Sequence, residues 1–176
     1  MFESLKKKIA YFIVNRRMKE SHTAAQSFNN LFASSYNFLV IMPEDENDFQ
    51  QAVDVLSFLH ESGKNFAVFT YDYRVSLIPA KFRRAVVDYS MEDLSGLMLP
   101  SVRLKEKLAS MEFNTVLDLN RKESLFNSYS ANLVKAKLRV GFSKYNSDNY
   151  YNFQVANLED NAQIVYKIFL NCLQMF

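Results

Sequence analysis

The stretch that decides the fold runs from residue 38 to residue 59 and reads FLVIMPEDENDFQQAVDVLSFL. A short apolar run is followed by an acidic loop and then by apolar residues at helical spacing, which indicates a strand, a loop and a helix. Asp48 is placed to cap the helix, and Gly63 is placed to end it. The stretch therefore predicts the first half of a βαβ unit, in which helical crossovers join parallel strands.

The remainder of the chain repeats this alternation. Strands are predicted at residues 37–42, 64–71, 83–90, 113–120, 137–142 and 150–157. Helices are predicted at residues 48–62, 101–111, 121–136 and 158–176. This order predicts an α/β protein with a single Rossmann-like, three-layer domain and a mostly parallel sheet of about five to six strands. We expect the domain to occupy residues 36–176 and to follow an N-terminal amphipathic helix and linker at residues 1–35.

The composition excludes several classes of protein. The 176 residues are 49% hydrophobic, which suits one domain with a sizeable core. With only three glycines, a glycine-built phosphate loop is not expected, and the single cysteine, Cys172, excludes an internal disulfide. No apolar run reaches the ~18 residues of a transmembrane helix, and no signal-peptide pattern is present. We therefore expect a cytoplasmic protein.

Positive charge is concentrated at the N-terminus, where the first 20 residues carry a net charge of +4. The total of +2 leaves −2 for the other residues, which argues against a nucleic-acid-binding surface. The cations are Lys6, Lys7, Lys8, Arg16, Arg17 and Lys19. Apolar residues at helical spacing predict one face of an amphipathic helix, namely Phe2, Leu5, Ile9, Phe12 and Ile13. Such a helix either lies on an anionic membrane, peripheral to the inner membrane, or packs on the domain, a protein partner or a second copy.

The acidic loop after the first predicted strand is one candidate site. Glu44, Asp45 and Asp48 would lie at the carboxyl end of the strand, where α/β proteins bind their ligands. Carboxylates there could supply a general base or bind a divalent cation. Alternatively, the loop is a solvated turn whose negative charge favours the N-terminus of the following helix. Four carboxylates between residues 44 and 48 argue against phosphate binding.

The end of the fourth predicted strand is a second candidate site, at the same edge of the sheet. Arg121 and Lys122 could bind an anionic group, and Asp118 could orient them. Alternatively, the segment is an ordinary helix N-terminus with Asn120 as its cap. The two histidines, His22 and His60, are far apart in sequence, so we expect neither a metal site nor a bound cofactor.

Three segments, taken together, point to a known family. They are the strand, acidic loop and helix at residues 38–59, the strand end Asp118-Leu119-Asn120, and the segment AKLRVGF at residues 136–142. They resemble the N-terminal, acceptor-side half of the lipopolysaccharide heptosyltransferases, glycosyltransferase family nine, over residues 37–142. The resemblance implies a GT-B-type Rossmann-like fold, and it implies a general-base role for Asp48 on a sugar hydroxyl. The whole chain also resembles small Bacteroidetes proteins with a lysine-rich N-terminal helix.

The sequence departs from the heptosyltransferase pattern in ways that bear on activity. Asn47 stands where the family has glycine, Met42 where arginine is usual, and Arg121 where a glycine follows the D-x-Q motif. The domain that binds the sugar nucleotide in GT-B enzymes has no counterpart in this sequence. We therefore favour a non-catalytic module that binds a protein partner or a membrane surface. The alternative is the acceptor-binding half of a split glycosyltransferase.

Overall fold

Six strands form one sheet in the computed structural model, which describes residues 2–19 and 31–175. The strands are β1 (Asn37–Ile41), β2 (Asn65–Tyr71), β3 (Val86–Tyr89), β4 (Thr115–Asp118), β5 (Leu138–Phe142) and β6 (Phe153–Val155). Their order is β3-β2-β1-β4-β5-β6, and every neighbouring pair is parallel. The predicted class, a single Rossmann-like α/β domain, is confirmed. The chain adds strands to one side of β1 up to β3 and then to the other side from β4 onward. Parallel sheets of this kind form a crevice between the two strands at which this switch occurs, here β1 and β4.

The central strands are buried on both faces, and this explains their nearly continuous apolar sequence. In β1 the four residues after Asn37 are all buried, and all four residues of β4 are buried. Val40 stands between Val68 of β2 and Leu117 of β4 in the parallel register. Parallel sheets are covered by crossover helices on both sides, so their strands do not alternate between apolar and polar residues.

Helices cover both faces of the sheet. They are α1 (Phe2–Lys19), α2 (Leu31–Ser34), α3 (Glu46–Glu61), α4 (Val102–Ala109), α5 (Leu125–Leu133) and α6 (Ala162–Gln174). Helices α3 and α6 pack on the face that carries Phe38 and Val40, whereas α1, α4 and α5 pack over the face that carries Leu39 and Ile41. Short 3-10 helices at residues 72–77, 80–85, 91–93 and 147–149 complete the chain.

Two predicted helix caps are wrong. Asp45, not Asp48, caps α3, because the backbone is extended at Asp45 and its side chain accepts from the first free N–H groups. Ser124, not Asn120, caps α5, so that helix begins four residues later than predicted. Near the start of each helix, several residues of the sequence could serve as the N-cap. The actual cap is the one at which the backbone changes from extended to helical.

The N-terminal helix is present, and it packs on the domain through Ala10, Val14 and Met18. The predicted linker extends to residue 35. Residues 20–30, which include His22, lie outside the described residues, and the last part of the linker contains α2. The division of the chain at residue 35 therefore stays a prediction. Among the described helices, none combines the length and the apolar character needed to cross a membrane.

Candidate functional site

The loops that follow β1 to β5 meet at the carboxyl edge of the sheet, and this edge has two different halves. Beside β1 and β4 lies a group of charged and polar side chains that bond to one another, which we call the ionic cluster. Its members are Asp45, Asp48, Asp118, Asn120, Arg121, Lys122, Lys144 and Tyr151. Beyond β1, β2 and β3 the edge opens into a cavity.

Asp48 and Arg121 form an ion pair in the ionic cluster. Arg121 Nη1 lies 3.1 Å from Asp48 Oδ1, and the two side chains are only 14% and 5% exposed, respectively. Arg121 also donates to Asn157 Oδ1 and to the carbonyl oxygens of Glu159 and Asp160. Burial raises the pKa of Asp48, although the Arg121 guanidinium opposes this shift. The pair therefore joins the start of α3 to the loop between β6 and α6.

Asp45 and Lys122 form a second ion pair, nearer the surface. Lys122 Nζ lies 2.8 Å from Asp45 Oδ2, while Asp45 Oδ1 accepts from the backbone N–H groups of Asn47 and Asp48. The hydrogen bond from Lys122 and those backbone bonds lower the pKa of Asp45. Both carboxylate oxygens thus have partners within the protein.

Asp118 lies at the buried centre of the ionic cluster, with no exposed surface. It accepts from Lys144 Nζ at 3.2 Å, from Asn120 Nδ2 at 2.6 Å and from the Tyr151 hydroxyl. Burial and the Asp118 carboxylate hold the pKa of Tyr151 well above its usual value. A Cβ on Gly141 would lie 2.9 Å from the Tyr151 ring, so only glycine leaves room for that ring.

Asn120 connects the ionic cluster to the loop after β1. Its Oδ1 accepts from the backbone N–H of Glu44 at 3.0 Å, and its Nδ2 also lies 3.3 Å from the Met42 carbonyl oxygen. The predicted ligand-binding residues of the second strand end are therefore bonded to the predicted acidic loop. Each carboxylate of the cluster has at least one cation or hydrogen-bond donor of the protein itself as a partner.

The other half of the carboxyl edge is a cavity of about 880 Å³, which we call the tyrosine cavity. Its walls come from the ends of β1, β2 and β3, the start of α5, the N-terminal half of α1 and the loop at residues 94–99. Most of the lining is apolar, and it includes Met42, Leu94, Leu97, Met98, Leu99 and Phe126. A space of this size with few polar groups is typical of small-molecule sites.

Three hydroxyl groups in the tyrosine cavity have no partner in the described part of the chain. They belong to Thr70, Tyr71 and Tyr89, and no hydrogen bond pairs any of them with another described residue. Thr70 and Tyr89 are otherwise buried residues that line the cavity. Burial also raises the pKa of Tyr89, which keeps its hydroxyl protonated and able to donate. Unsatisfied hydroxyls that converge on a cavity are available to a ligand.

The charges around the tyrosine cavity are mostly positive. Among the described lining residues, Lys6, Lys7 and Arg74 are cations and Glu44 is a carboxylate. That carboxylate accepts from Ser124 Oγ at 2.6 Å and from Asn127 Nδ2 at 2.8 Å. Arg74 is fixed in position by donating to the carbonyl oxygens of Pro43, at 3.0 Å, and of Glu44.

Most of the predicted site residues divide between these two halves, whereas Lys8, Arg16 and Arg17 lie elsewhere on α1. Only Glu44, Lys6 and Lys7 line the tyrosine cavity, whereas the other predicted ligand-binding residues and Asp48 belong to the ionic cluster. Sequence reasoning missed the polar residues that end β2. The signal that could have revealed them is TYDYR at residues 70–74, where Thr70 and Tyr71 end β2 and Tyr73 and Arg74 follow it.

Helix α1 presents a second candidate surface. Leu5, Ile9 and Phe12 point away from the domain and are 55%, 42% and 69% exposed, respectively. They belong to the predicted apolar face, so the residues that pack on the domain are a different set. The side chain of Phe2, also predicted for this face, lies outside the described residues. Lys8 and Arg16 are exposed next to this stripe, and we call these five residues the outer face of α1.

Polar bonds hold α1 in a fixed orientation on the domain. Arg17 Nη1 donates to the Tyr129 hydroxyl at 2.9 Å, and the Tyr150 hydroxyl donates to Asn15 Oδ1 at 3.0 Å. The Tyr11 hydroxyl donates to Glu123. Because these bonds lie on the inner side, the outer face of α1 stays turned to the solvent. Arg17, predicted as part of the binding helix, is thus used within the protein.

Two solved structures of E. coli heptosyltransferase WaaC share this fold. The structure with ADP matches with a TM-score of 0.51 and 11% sequence identity over 74% of this chain and 46% of that chain. The structure with ADP-2-deoxy-2-fluoro heptose matches with a TM-score of 0.54 and 12% identity over 78% of this chain and 48% of that chain. This chain thus spans about half the length of the heptosyltransferase. No family model and no curated protein matches the sequence.

Proposed function

We propose that this chain is a non-catalytic, glycosyltransferase-like module that attaches to an anionic membrane surface through α1. The observation that carries the proposal is the outer face of α1, an apolar stripe with cations beside it, held outward by bonds on the inner side of the helix. In this proposal, α1 attaches the α/β domain, whose fold resembles part of a heptosyltransferase, to the membrane.

The ionic cluster supports a non-catalytic role. A general base must have a lone pair within reach of the substrate proton. Asp48 is 4% exposed and bonded to Arg121, and Asp118 is fully buried beneath Lys144 and Tyr151. These carboxylates stabilise the fold by joining loops, and a substrate would have to displace a guanidinium or an ammonium group to reach them.

The outer face of α1 has the composition of an interfacial helix. Such helices insert apolar side chains between lipid headgroups and leave lysine and arginine to contact the phosphates. Burial of a leucine, isoleucine or phenylalanine side chain stabilises by about 1.5–3 kcal/mol, and each basic residue near an anionic surface adds about 1 kcal/mol. Leu5, Ile9 and Phe12 with Lys8 and Arg16 therefore suffice for reversible binding.

Co-sedimentation of the full-length protein with lipid vesicles tests this proposal. The protein should sediment with vesicles that contain an anionic phospholipid and stay in the supernatant with neutral vesicles. The variant Leu5→Ser/Ile9→Ser/Phe12→Ser should lose this binding. A matched control replaces three exposed apolar residues on the opposite side of the sheet, as Leu158→Ser/Ile164→Ser/Met175→Ser, and should bind like the original chain.

Other outcomes of this assay would overturn the proposal. Failure to bind anionic vesicles would do so, and so would equal binding by the two triple variants. The same variants can be compared by analytical ultracentrifugation. A dimer that forms in the original chain and dissociates in the Leu5→Ser/Ile9→Ser/Phe12→Ser variant would assign the outer face of α1 to a second copy instead.

A second candidate function is the acceptor-binding half of a split glycosyltransferase. The observation that favours it is the raised pKa of Asp48, since a more basic carboxylate is a better general base near neutral pH. Under this hypothesis, Asp48→Asn should abolish sugar transfer by the complex with a nucleotide-binding chain. Unchanged transfer by that complex would exclude the role of Asp48.

A further inference from the structure

We propose that the tyrosine cavity binds a single-chain amphiphilic anion, with its apolar body inside the cavity and its phosphate or carboxylate group at Lys6, Lys7 and Arg74. This site is distinct from the outer face of α1, because Lys6 and Lys7 line the cavity whereas Leu5, Ile9 and Phe12 point to the solvent. The inference does not rest on membrane attachment.

The size and lining of the tyrosine cavity favour an apolar body. A volume of about 880 Å³ lies within the range of roughly 300–1,000 Å³ that is usual for small-molecule pockets. Met42, Leu99 and Phe126 are buried residues of its wall. A free sugar or an inorganic anion would leave these apolar surfaces uncovered and would lose water contacts without replacement. A hydrocarbon chain or a ring covers them at no such cost.

The hydroxyl groups of the tyrosine cavity add a polar zone next to the apolar wall. Thr70, Tyr71 and Tyr89 have hydroxyls without a described partner, and the rings of Tyr71 and Tyr89 lie 5.0 Å apart between centroids. These donors can bond to oxygens near the head of an amphiphile.

The charge around the tyrosine cavity selects an anion. Its described lining contains three cations and one carboxylate, and the carboxylate of Glu44 already accepts from Ser124 and Asn127. An ammonium group would be repelled by Lys7 and Arg74, whereas a phosphate or a carboxylate would be attracted by both. The guanidinium of Arg74 is already oriented by Pro43 and Glu44, so it loses little freedom on binding.

Titration calorimetry with three probes tests the inference on the full-length protein. Decyl phosphate, used below its micelle concentration, should bind saturably at one site per chain. Inorganic phosphate and decyl maltoside, which supply the head and the chain separately, should each bind at least about tenfold more weakly. Absence of decyl phosphate binding, or equal binding of decyl maltoside, would overturn the inference.

Two variants and a matched control locate the binding site. Lys6→Gln/Lys7→Gln should weaken decyl phosphate binding about tenfold, because two attractive charges are removed. Lys135→Gln/Lys137→Gln, which removes two exposed cations far from the cavity, should leave it unchanged. Gly96→Leu should also weaken binding, since a Cβ at this cavity-lining residue meets no atom within 4 Å and the longer side chain has room to enter the cavity. Equal affinity in all three variants would contradict the proposed site.

The source of the ligand and the membrane proposal are tested separately. Decyl phosphate can be presented as monomers or within otherwise uncharged vesicles to the Leu5→Ser/Ile9→Ser/Phe12→Ser variant, which should not bind vesicles through α1. Uptake from the vesicles would then identify the membrane as a source. Uptake of the monomer alone would identify a free amphiphile. The variant Leu5→Ser/Ile9→Ser/Phe12→Ser should lose binding to anionic vesicles but keep its affinity for monomeric decyl phosphate. Failure of either proposal is therefore visible without the other.

Discussion

The two halves of the carboxyl edge use the same kinds of residue in opposite ways. In the ionic cluster, the Tyr151 hydroxyl bonds to Asp118 and Ser128. In the tyrosine cavity, the Tyr89 hydroxyl has no described partner, although the residue is almost as deeply buried. Hydroxyls, carboxylates and cations stabilise the fold on one side and stand open to a ligand on the other. The position of a residue at a strand end therefore does not by itself distinguish the two uses.

The largest effect is expected where the ionic cluster is most deeply buried. Lys144→Met removes the cation 3.2 Å from Asp118 and leaves a carboxylate with no exposed surface. The free energy of unfolding, measured with urea, should fall by about 4 kcal/mol. The control Lys137→Met changes an exposed lysine and should stay within about 0.5 kcal/mol. A loss of less than about 1 kcal/mol for Lys144→Met would mean that the ionic cluster is not a stabilising unit.

Asp48→Asn should have a smaller effect on stability. Arg121 loses its charged partner but keeps Asn157 and two carbonyl oxygens, so we expect a loss of about 2 kcal/mol. Glu46→Gln, an exposed carboxylate in the same first turn of α3, serves as the control and should change little. Binding of the Asp48→Asn variant to anionic vesicles should equal that of the original chain. A stability equal to that of the control would contradict the structural role of Asp48.

A pair of tyrosine variants compares the two halves directly. Tyr151→Phe removes a hydroxyl with two protein partners and should lower the free energy of unfolding by about 2 kcal/mol. Tyr89→Phe removes a hydroxyl without a described partner and should change it by less than about 0.5 kcal/mol. Both values come from the same urea titration. A larger loss of stability for Tyr89→Phe than for Tyr151→Phe would contradict the distinction between the ionic cluster and the tyrosine cavity.

The smallest effect concerns pH. The pKa of Asp45 is lowered in the folded protein, chiefly by Lys122, from its usual 3.8. Its stabilisation is therefore fully present above the unfolded pKa and is lost as the pH falls through the lower folded pKa. Urea midpoints at about pH 6 and about pH 2.5 should show that Asp45→Asn destabilises at the higher pH and much less at the lower one. An equal deficit at both pH values would contradict the assigned shift.

The fold could be predicted from the sequence because it depends on patterns within short segments. The apolar run at residues 38–41, the helical repeat at residues 48–62 and their recurrence along the chain predict strands and crossover helices. The alternation of strands and crossover segments predicts a mostly parallel sheet, whereas the strand order is seen only in the structure. Strand and helix ends were less predictable, as Asp45 and Ser124 show, because neighbouring residues make equally good caps.

The site was less predictable because it depends on which residues pair with one another. Asp48 and Arg121 are 73 positions apart, and nothing in either segment indicates that they form an ion pair. Lys144, the partner of Asp118, follows a different strand altogether. The tyrosine cavity combines residues of α1 with the ends of three strands, so its existence depends on where α1 packs. Periodicity identified an apolar face on α1 but could not tell which face meets the domain.

The central claim is that the outer face of α1 enters an anionic membrane surface, and a single introduced tryptophan tests it most directly. The chain has no tryptophan, so the fluorescence of Phe12→Trp reports on this position alone. On addition of anionic vesicles, its emission should shift to shorter wavelengths and become accessible to a quencher carried on the lipid chains. Tyr36→Trp, at an exposed position just before β1, should show neither change. No shift for Phe12→Trp, or the same shift for Tyr36→Trp, would contradict the account.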